Sequence, residues 1–473
     1  MDHEKAYCPG CGTENLLSDK FCGRCWGPLQ TGVLYTKEQA RKKIERLNRA
    51  RIQRRIIKTI LSFGAVLAIL LFYTQPYWLD RIPPPTSSLT PDSGLEDWVM
   101  QGRDTSNSAN ASQFENINGD LIWQFDTKKP FLSSPSIADG VVFVTTGDAR
   151  IVALKSEDGE LLWEQNVSGP VNASPLVLED SLYIGLRDGR ILRLSQKNGG
   201  IIWSFQTDNP VISSVIAFDG ILYAGSADGN VYALDVVTGK KIWSFDTEDW
   251  ITTTPAIIND KLVVGNRAGN VFVLDLKTGK KSLRYHSGKV SDSILAGDDH
   301  VFIPTSCTHS VSRGCAGGIR ALDPSKREYP LEYFARFWRT HFYIWGIEDS
   351  PPVQKGFLWG TALVGRSKAM FSPSYADGII YAYGGHGNLV AMDAASGEIS
   401  WTYSSGKSAY SSPAISKDKI YIGTNDGEIH IIDMKTGLQH LVLATGGSIT
   451  GQLVLAGGRL YAASRDGSLY VFE

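Results

Sequence analysis

Ser213-Ser-Val-Ile-Ala-Phe-Asp-Gly-Ile-Leu-Tyr-Ala-Gly-Ser-Ala-Asp-Gly-Asn-Val-Tyr-Ala-Leu-Asp-Val-Val-Thr-Gly-Lys-Lys-Ile-Trp243 is one copy of a repeating unit. A small-polar pair opens it, runs of alternating apolar residues follow, Asp-Gly breaks the runs, and a glycine-containing turn leads to the tryptophan. Alternation with period two marks short strands, and Asp-Gly accepts the positive φ of a tight hairpin. Four such strands make an antiparallel blade, and blades of about 40 residues set radially make a β-propeller. Outward from this copy, Trp123, Trp163, Trp203 and Trp243 are spaced by 40, and Trp401 and Leu441 are another 40 apart. A fixed period of that size means a repeat architecture.

Units end at Trp163, Trp203, Trp243, Leu283, near Leu331, at Trp401 and at Leu441. An eighth runs from about Ile449 to Glu473 and stops after three strands. Residues 119–126, Gly-Asp-Leu-Ile-Trp-Gln-Phe-Asp, have the end of a unit without its beginning and are expected to supply the missing outer strand. The fold class is therefore all-β, an eight-bladed propeller over 98–473 whose closure leaves no open sheet edge. Trp123, Trp163, Trp203, Trp243 and Trp401 are expected to pack adjacent blades together.

Ala233-Leu-Asp-Val-Val-Thr-Gly-Lys-Lys-Ile-Trp243, Ala153-Leu-Lys-Ser-Glu-Asp-Gly-Glu-Leu-Leu-Trp163 and Ala391-Met-Asp-Ala-Ala-Ser-Gly-Glu-Ile-Ser-Trp401 resemble the pyrrolo-quinoline-quinone (PQQ) type of propeller repeat. Within that type the BamB-like outer-membrane assembly factors are the nearest likeness, and Trp98-Val-Met-Gln-Gly-Arg-Asp104 resembles their lead-in, so the likeness covers 97–473. The resemblance implies fold strongly and function weakly. Quinoprotein dehydrogenases share the repeat and, as a family, hold the quinone against a disulfide of adjacent cysteines beside a Ca²⁺. This chain has neither adjacent cysteines nor Cys-x-x-Cys-His for a c-type haem, and its scattered His residues form no catalytic constellation. The expectation is no catalytic residues and no PQQ.

The remaining chain differs in kind. Of 47 Lys+Arg and 49 Asp+Glu, residues 1–58 hold 13 and 6, so a total of −2 divides into +7 for that head and −9 for the rest. Residues 59–79 carry no charge over 21 positions, enough for a transmembrane helix across a ~30 Å hydrocarbon layer. Ten Lys/Arg in 37–58, a helix-forming stretch without Gly or Pro, precede the apolar run, and Phe72, Tyr73, Tyr77 and Trp78 close it. Positive-inside bias puts the N-terminus in the cytosol and the propeller outside, with the chain single-pass in the cytoplasmic (inner) membrane. The run lies too far from residue 1 for a cleaved signal, and no Cys follows it as in a lipoprotein. Residues 80–97 form a Pro-rich linker. The basic helix is chiefly topogenic; its charges can meet anionic lipid, and nucleic acid is disfavoured as a partner.

Cys8-Pro-Gly-Cys11 and Cys22-Gly-Arg-Cys25 are two Cys-x-x-Cys pairs ten residues apart, the spacing of a tetrahedral structural zinc site. Residues 1–30 are read as a zinc ribbon holding one Zn²⁺, and 7–29 resemble the small zinc ribbons of bacterial membrane-tethered proteins. Such a ribbon could meet a cytosolic partner.

The rhythm breaks between Leu283 and Trp401. Leu283 to Leu331 is 8 residues too long and Leu331 to Trp401 is 30 too long. These insertions, at about 307–315 and 334–370, are expected on one rim, because second-to-third and fourth-to-first connections leave a blade on the same side. Cys307 and Cys315 are expected to form a disulfide in that compartment. Residues 332–361 hold nine aromatic side chains. Arg336, Phe337, Trp338, Arg339, Tyr343, Trp345 and Trp359 form a candidate binding rim, the alternative being that they pack the insertion onto its blade. These readings give a membrane-anchored, non-catalytic scaffold binding an extracytoplasmic protein or envelope component. A quinone-dependent dehydrogenase and a transmembrane sensor are the alternatives.

Overall fold

In a computed structural model, the chain is described over 97–290, 293–306, 317–328, 332–347, 349, 352–363, 371–384, 387–408, 411–449 and 451–473, with the linker segment 84–91. Within the first 64 residues it is described at 5–8, 13–16, 20–22, 24, 29, 38–39, 41–46, 48–49, 52–53, 56–60 and 64. Contacts divide the chain into two units, Met1–Arg81 and Ile82–Glu473.

The second unit is an eight-bladed propeller of four-stranded antiparallel sheets. Blade 3 shows the pattern: Ile216–Phe218, Ile221–Gly225, Asn230–Asp235 and Lys241–Asp246 pair in sequence order. The two strands nearest the axis are buried almost throughout, whereas the outermost alternates, so apolar residues run continuously inside and every other residue outside. A one-residue irregularity between Ala233 and Leu234 recurs at the same place in the other blades, bending each outer strand against its neighbour. Blade 8 combines Val454–Ala456, Arg459–Ala463 and Ser468–Phe472 with Leu121–Asp126, so the first propeller strand closes the ring on the last.

Successive strands alternate direction, which gives the disc two unlike faces. First-to-second and third-to-fourth turns lie on what is here called the lower face; second-to-third and fourth-to-first connections lie on the upper face. Blade 5 departs from the expectation. Its strands are Leu295–Gly297, His300–Thr305, Gly318–Leu322 and Phe357–Ala362, so the fourth strand carries Trp359 and does not lie near Leu331. From Leu283 to Trp359 is 76 residues and from Trp359 to Trp401 is 42, so nearly the whole excess belongs to this blade. Residues 332–344 follow helical spacing, with aromatic residues at 334, 337, 338, 342 and 345, and they form the helix Glu332–Ile344. The two insertions therefore join strands two to three and three to four, and they leave on opposite faces.

In the first unit, Lys5–Tyr7 and Glu14–Leu16 pair antiparallel. The described residues within 38–60, together with 64, are helical. Among the described residues no helix is long and apolar enough to cross a membrane; of the expected span 59–79, only 59, 60 and 64 are described.

Candidate functional site

The axis is the place where a propeller usually holds a ligand, and here the chain fills it with its own lead-in. Trp98 exchanges both backbone hydrogen bonds with Ile137 of blade 1, at 2.8 and 2.9 Å. The carbonyls of Val99, Thr105, Ser106 and Ser108 then accept from Val177, Ile257, Ala296 and Tyr375 in blades 2, 4, 5 and 6, at 2.7–2.9 Å. Ala109 and Ala111 pair with Ile415 of blade 7. Each bond satisfies an inner-edge group that would otherwise lack a partner. The side chains complete the seal: the Asn107 amide donates to Pro255 O at 3.1 Å and Ile294 O at 2.8 Å, and Gly102 N–H donates to Gln452 Oε1 at 3.0 Å.

The charges carried inward are used locally. Asp104 accepts from the Ser106 and Ser108 amides at 2.9 and 3.0 Å and from the Ser108 hydroxyl. Burial nevertheless pushes its carboxyl above the usual range, with those hydrogen bonds working against the rise. Arg103 donates to Asn110 O at 3.0 Å and lies over the Phe114 ring.

What remains open at the upper end is a cavity of about 180 Å³, lined by Gln101, Ser133, Ser134, Asn172, Ser174, Thr252 and other uncharged residues. The small-polar pairs at the strand starts have a structural use. Ser134 N–H donates to Ser174 Oγ at 3.2 Å, Ser174 N–H to Ser214 Oγ at 2.9 Å, and Gln452 N–H to Ser134 Oγ at 2.7 Å, tying blade to blade around the axis. PQQ is a tricarboxylate and needs cations beside it. Among the described residues the lining supplies none, and 180 Å³ is below the ~300 Å³ at which ligand pockets begin, so the described lining does not fit that cofactor.

The tryptophans sit at the blade junctions. Trp203 donates its indole N–H to Val236 O at 3.1 Å, and its ring lies so close to Gly239 that a Cβ there would stand 2.7 Å away. Trp123, Trp163, Trp243 and Trp401 repeat this with Gly159, Gly199, Gly279 and Gly437. Trp359 belongs with them and not with the rim: its indole donates to Ala394 O at 3.1 Å and its ring covers Gly397. Leu283 against Gly356 and Leu441 against Gly119 complete the circle. The sequence signal for Trp359 was its distance of 42 from Trp401, close to the repeat.

The helix Glu332–Ile344 brings Arg336, Phe337, Trp338, Arg339 and Tyr343 together, and Trp345 follows it directly. Cys307 and Cys315 lie outside the described residues, as do Cys11 and Cys25. Cys8 and Cys22 are buried; Cys8 N–H donates to Thr13 O at 2.9 Å, and the Asn15 amide lies 3.7 Å from Cys22 Sγ. An amide directed at a sulfur in a two-stranded hairpin suits a thiolate ligand. No group of three or more metal-ligating side chains is present among the described residues.

Sealed axis, serine-tied inner strands and tryptophan-on-glycine junctions define a PQQ-type repeat propeller. The chain belongs to the family of the outer membrane protein assembly factor BamB, whose profile matches residues 107–303 and 353–473. The unmatched stretch between them contains the first blade 5 connection and most of the second. Among solved structures, BamB from Moraxella catarrhalis is similar at 14% identity and TM-score 0.56, over 75% of this chain and 97% of that one. The computationally designed protein Ika8 is similar at 16% identity and TM-score 0.60, over 75% and 99%. Quinohemoprotein alcohol dehydrogenase from Comamonas testosteroni is similar at 14% identity and TM-score 0.57, over 80% of each chain. At such identities the likeness is one of fold. No curated protein matches the chain by sequence.

Proposed function

We propose that the chain is a non-catalytic binding scaffold, anchored in the cytoplasmic membrane by residues 59–79, with the propeller outside and residues 1–30 in the cytosol. The observation that carries this reading is the sealed axis. The lead-in segment 98–111 fills one end of the axis, and the remaining cavity is small, with no charged side chain among its described lining residues. A propeller of this kind presents surfaces, and the outer-membrane assembly role in the family's name supports a protein partner in the envelope. The upper face offers one landmark: Trp250 is half-exposed with the Arg267 guanidinium 4.2 Å over its ring. Stacked Trp and Arg side chains are frequent anchors of protein interfaces.

Cys8, Cys11, Cys22 and Cys25 would hold one structural Zn²⁺, which folds a segment too short to build its own core. Photo-crosslinking in intact cells from position 250 is expected to capture an envelope protein. Dye-coupled alcohol oxidation by the purified chain supplied with PQQ and Ca²⁺ is expected to stay at background. Turnover there would replace the scaffold reading with the dehydrogenase one.

A further inference from the structure

The Glu332–Ile344 helix is attached the wrong way round for a surface helix of a soluble protein. Its polar side faces the propeller: Glu332 pairs with Lys355 at 3.1 Å, and Arg336 reaches Gln354 at 3.5 Å. Gln354 in turn clamps both backbone groups of His286 in blade 4, at 2.9 and 2.7 Å. The other side is a ladder of rings. Phe334, Phe337, Trp338, Phe342 and Trp345 follow the helical repeat, with centroids 5.8–6.3 Å apart between neighbours. Phe334 is 57% exposed, Trp345 59% and Ile344 66%. Ordinarily the apolar stripe covers the core and the charges face water.

The linker segment that follows the apolar run says what covers this stripe. Residues 84–91 are bonded to blade 3: Thr86 donates through its amide and hydroxyl to Asp235, Gly220 N–H donates to Leu89 O at 2.7 Å, and Asp219 N–H donates to Thr90 Oγ1 at 3.0 Å. Asp219, Gly220 and Asp235 sit in the turns of the lower face, the face from which the 323–356 connection also departs. The seven residues from Leu79, where the apolar run ends, to Thr86 reach at most about 25 Å when fully extended. With residues 59–79 in the membrane as proposed above, a tether of that length would limit how far these lower-face turns can stand from the lipid.

We propose that the aromatic side of this helix lies in the headgroup boundary of the outer leaflet, giving the propeller a second membrane contact that fixes its orientation. Trp and Phe favour that boundary, where an amphipathic helix sinks ~5–10 Å. The helix holds Arg336 and Arg339 against Glu332, so the contact is aromatic and not polybasic, and it forms on zwitterionic lipid. This inference rests on the membrane-anchored reading above.

The test uses the full chain reconstituted in phosphatidylcholine vesicles, with a diazirine amino acid replacing Phe334, Trp345 or, as control, Trp250. An unchanged near-UV circular dichroism spectrum checks folding. Irradiation is expected to give a phospholipid-mass adduct at 334 and 345 and none at 250. Absence of that adduct, an equal yield at 250, or crosslinking of 334 and 345 to a second copy of the chain would overturn the proposal. Carbonate extraction of the same vesicles reports on the anchor separately. A chain that washes off refutes the span, whereas a retained chain without lipid adducts refutes the helix contact alone.

Discussion

Gly239→Ala isolates what the tryptophan junction contributes. The residue sits at φ +70°, and an added Cβ would lie 2.7 Å from Trp203 Cδ2 and 2.9 Å from Cε3. The ring has no easy retreat, because its N–H is bonded to Val236 O at 3.1 Å and its other side meets Tyr183 at a centroid distance of 5.9 Å. Two costs add: about 1–2 kcal/mol for a left-handed alanine and about 1–3 kcal/mol for the overlap. Gly140 provides the reference, with φ +71° and nothing within 4 Å of its Cβ position, so Gly140→Ala carries only the first cost. Urea unfolding of the detergent-solubilised full chain, read by near-UV circular dichroism at unchanged m-value, measures both. Gly239→Ala is expected to lose about 2–5 kcal/mol and Gly140→Ala about 1–2 kcal/mol. Leucine occupies the tryptophan's place at Leu283, so Trp203→Leu is a tolerated shape that opens the junction. In that background the Gly239→Ala loss should fall to the Gly140→Ala value. Equal losses for the two single alanines, or a Gly239→Ala loss unmoved by Trp203→Leu, would refute the account of the junction as a ring pressed on a glycine.

Asn107→Gly keeps the backbone free at φ +57° but removes the amide that serves Pro255 O and Ile294 O, so it should cost about 1–3 kcal/mol in the same assay. Asn107→Asp should cost more, because a carboxylate would face two carbonyl oxygens. Asp433 accepts from the Thr436 hydroxyl and amide and pairs with Lys419 at 3.1 Å, which holds its pKa well below the usual carboxylate range. A depressed folded pKa stabilises above the unfolded value near ~4 and is lost as pH falls through the folded one. Asp433→Asn should therefore lower the melting temperature at pH 7, by an amount that shrinks as the pH drops below ~4. Purified chain should contain one zinc per molecule by elemental analysis and lose it on Cys8→Ser; mass spectrometry should find two additional alkylated thiols, at Cys307 and Cys315, only after reduction.

The ring itself was legible because each level repeated it. The 40-residue spacing, the Asp-Gly turns and the small-polar pairs all point to the same blade, and residues 119–126 could be assigned to blade 8 from strand count alone. What the pairs do was not legible. Ser134 and Ser174 look like steric fillers in sequence, and only the geometry shows their hydroxyls accepting amides from the preceding blade, Gln452 N–H for Ser134 and Ser134 N–H for Ser174. The lead-in was recognised by resemblance, but its course across the blades was equally silent. Residues 98–111 have no period, since their hydrogen bonds go to strands scattered from Ile137 to Ile415.

Both insertions were found by subtraction; the first falls at its expected joint, between strands two and three, whereas the second was placed after the fourth strand and lies before it. Extending the rhythm to Leu331 assumed that every unit spends its residues in the same order. Phe357–Ala362 keeps the alternating exposure of an outer strand, whereas 332–344 has the three-and-four spacing of a helix, so local periodicity outranks global arithmetic wherever the two disagree. Moving one strand by 28 residues moved one insertion to the other face of the disc. That displacement separates two surfaces which the spacing alone had merged. The strand ends that flank 307–316 lie with Trp250 on the upper face, and the aromatic helix belongs to the connection that leaves the lower face, where residues 84–91 are bonded. Under the scaffold reading proposed above such a division is required, since a face lying against lipid could not also receive a partner from the envelope.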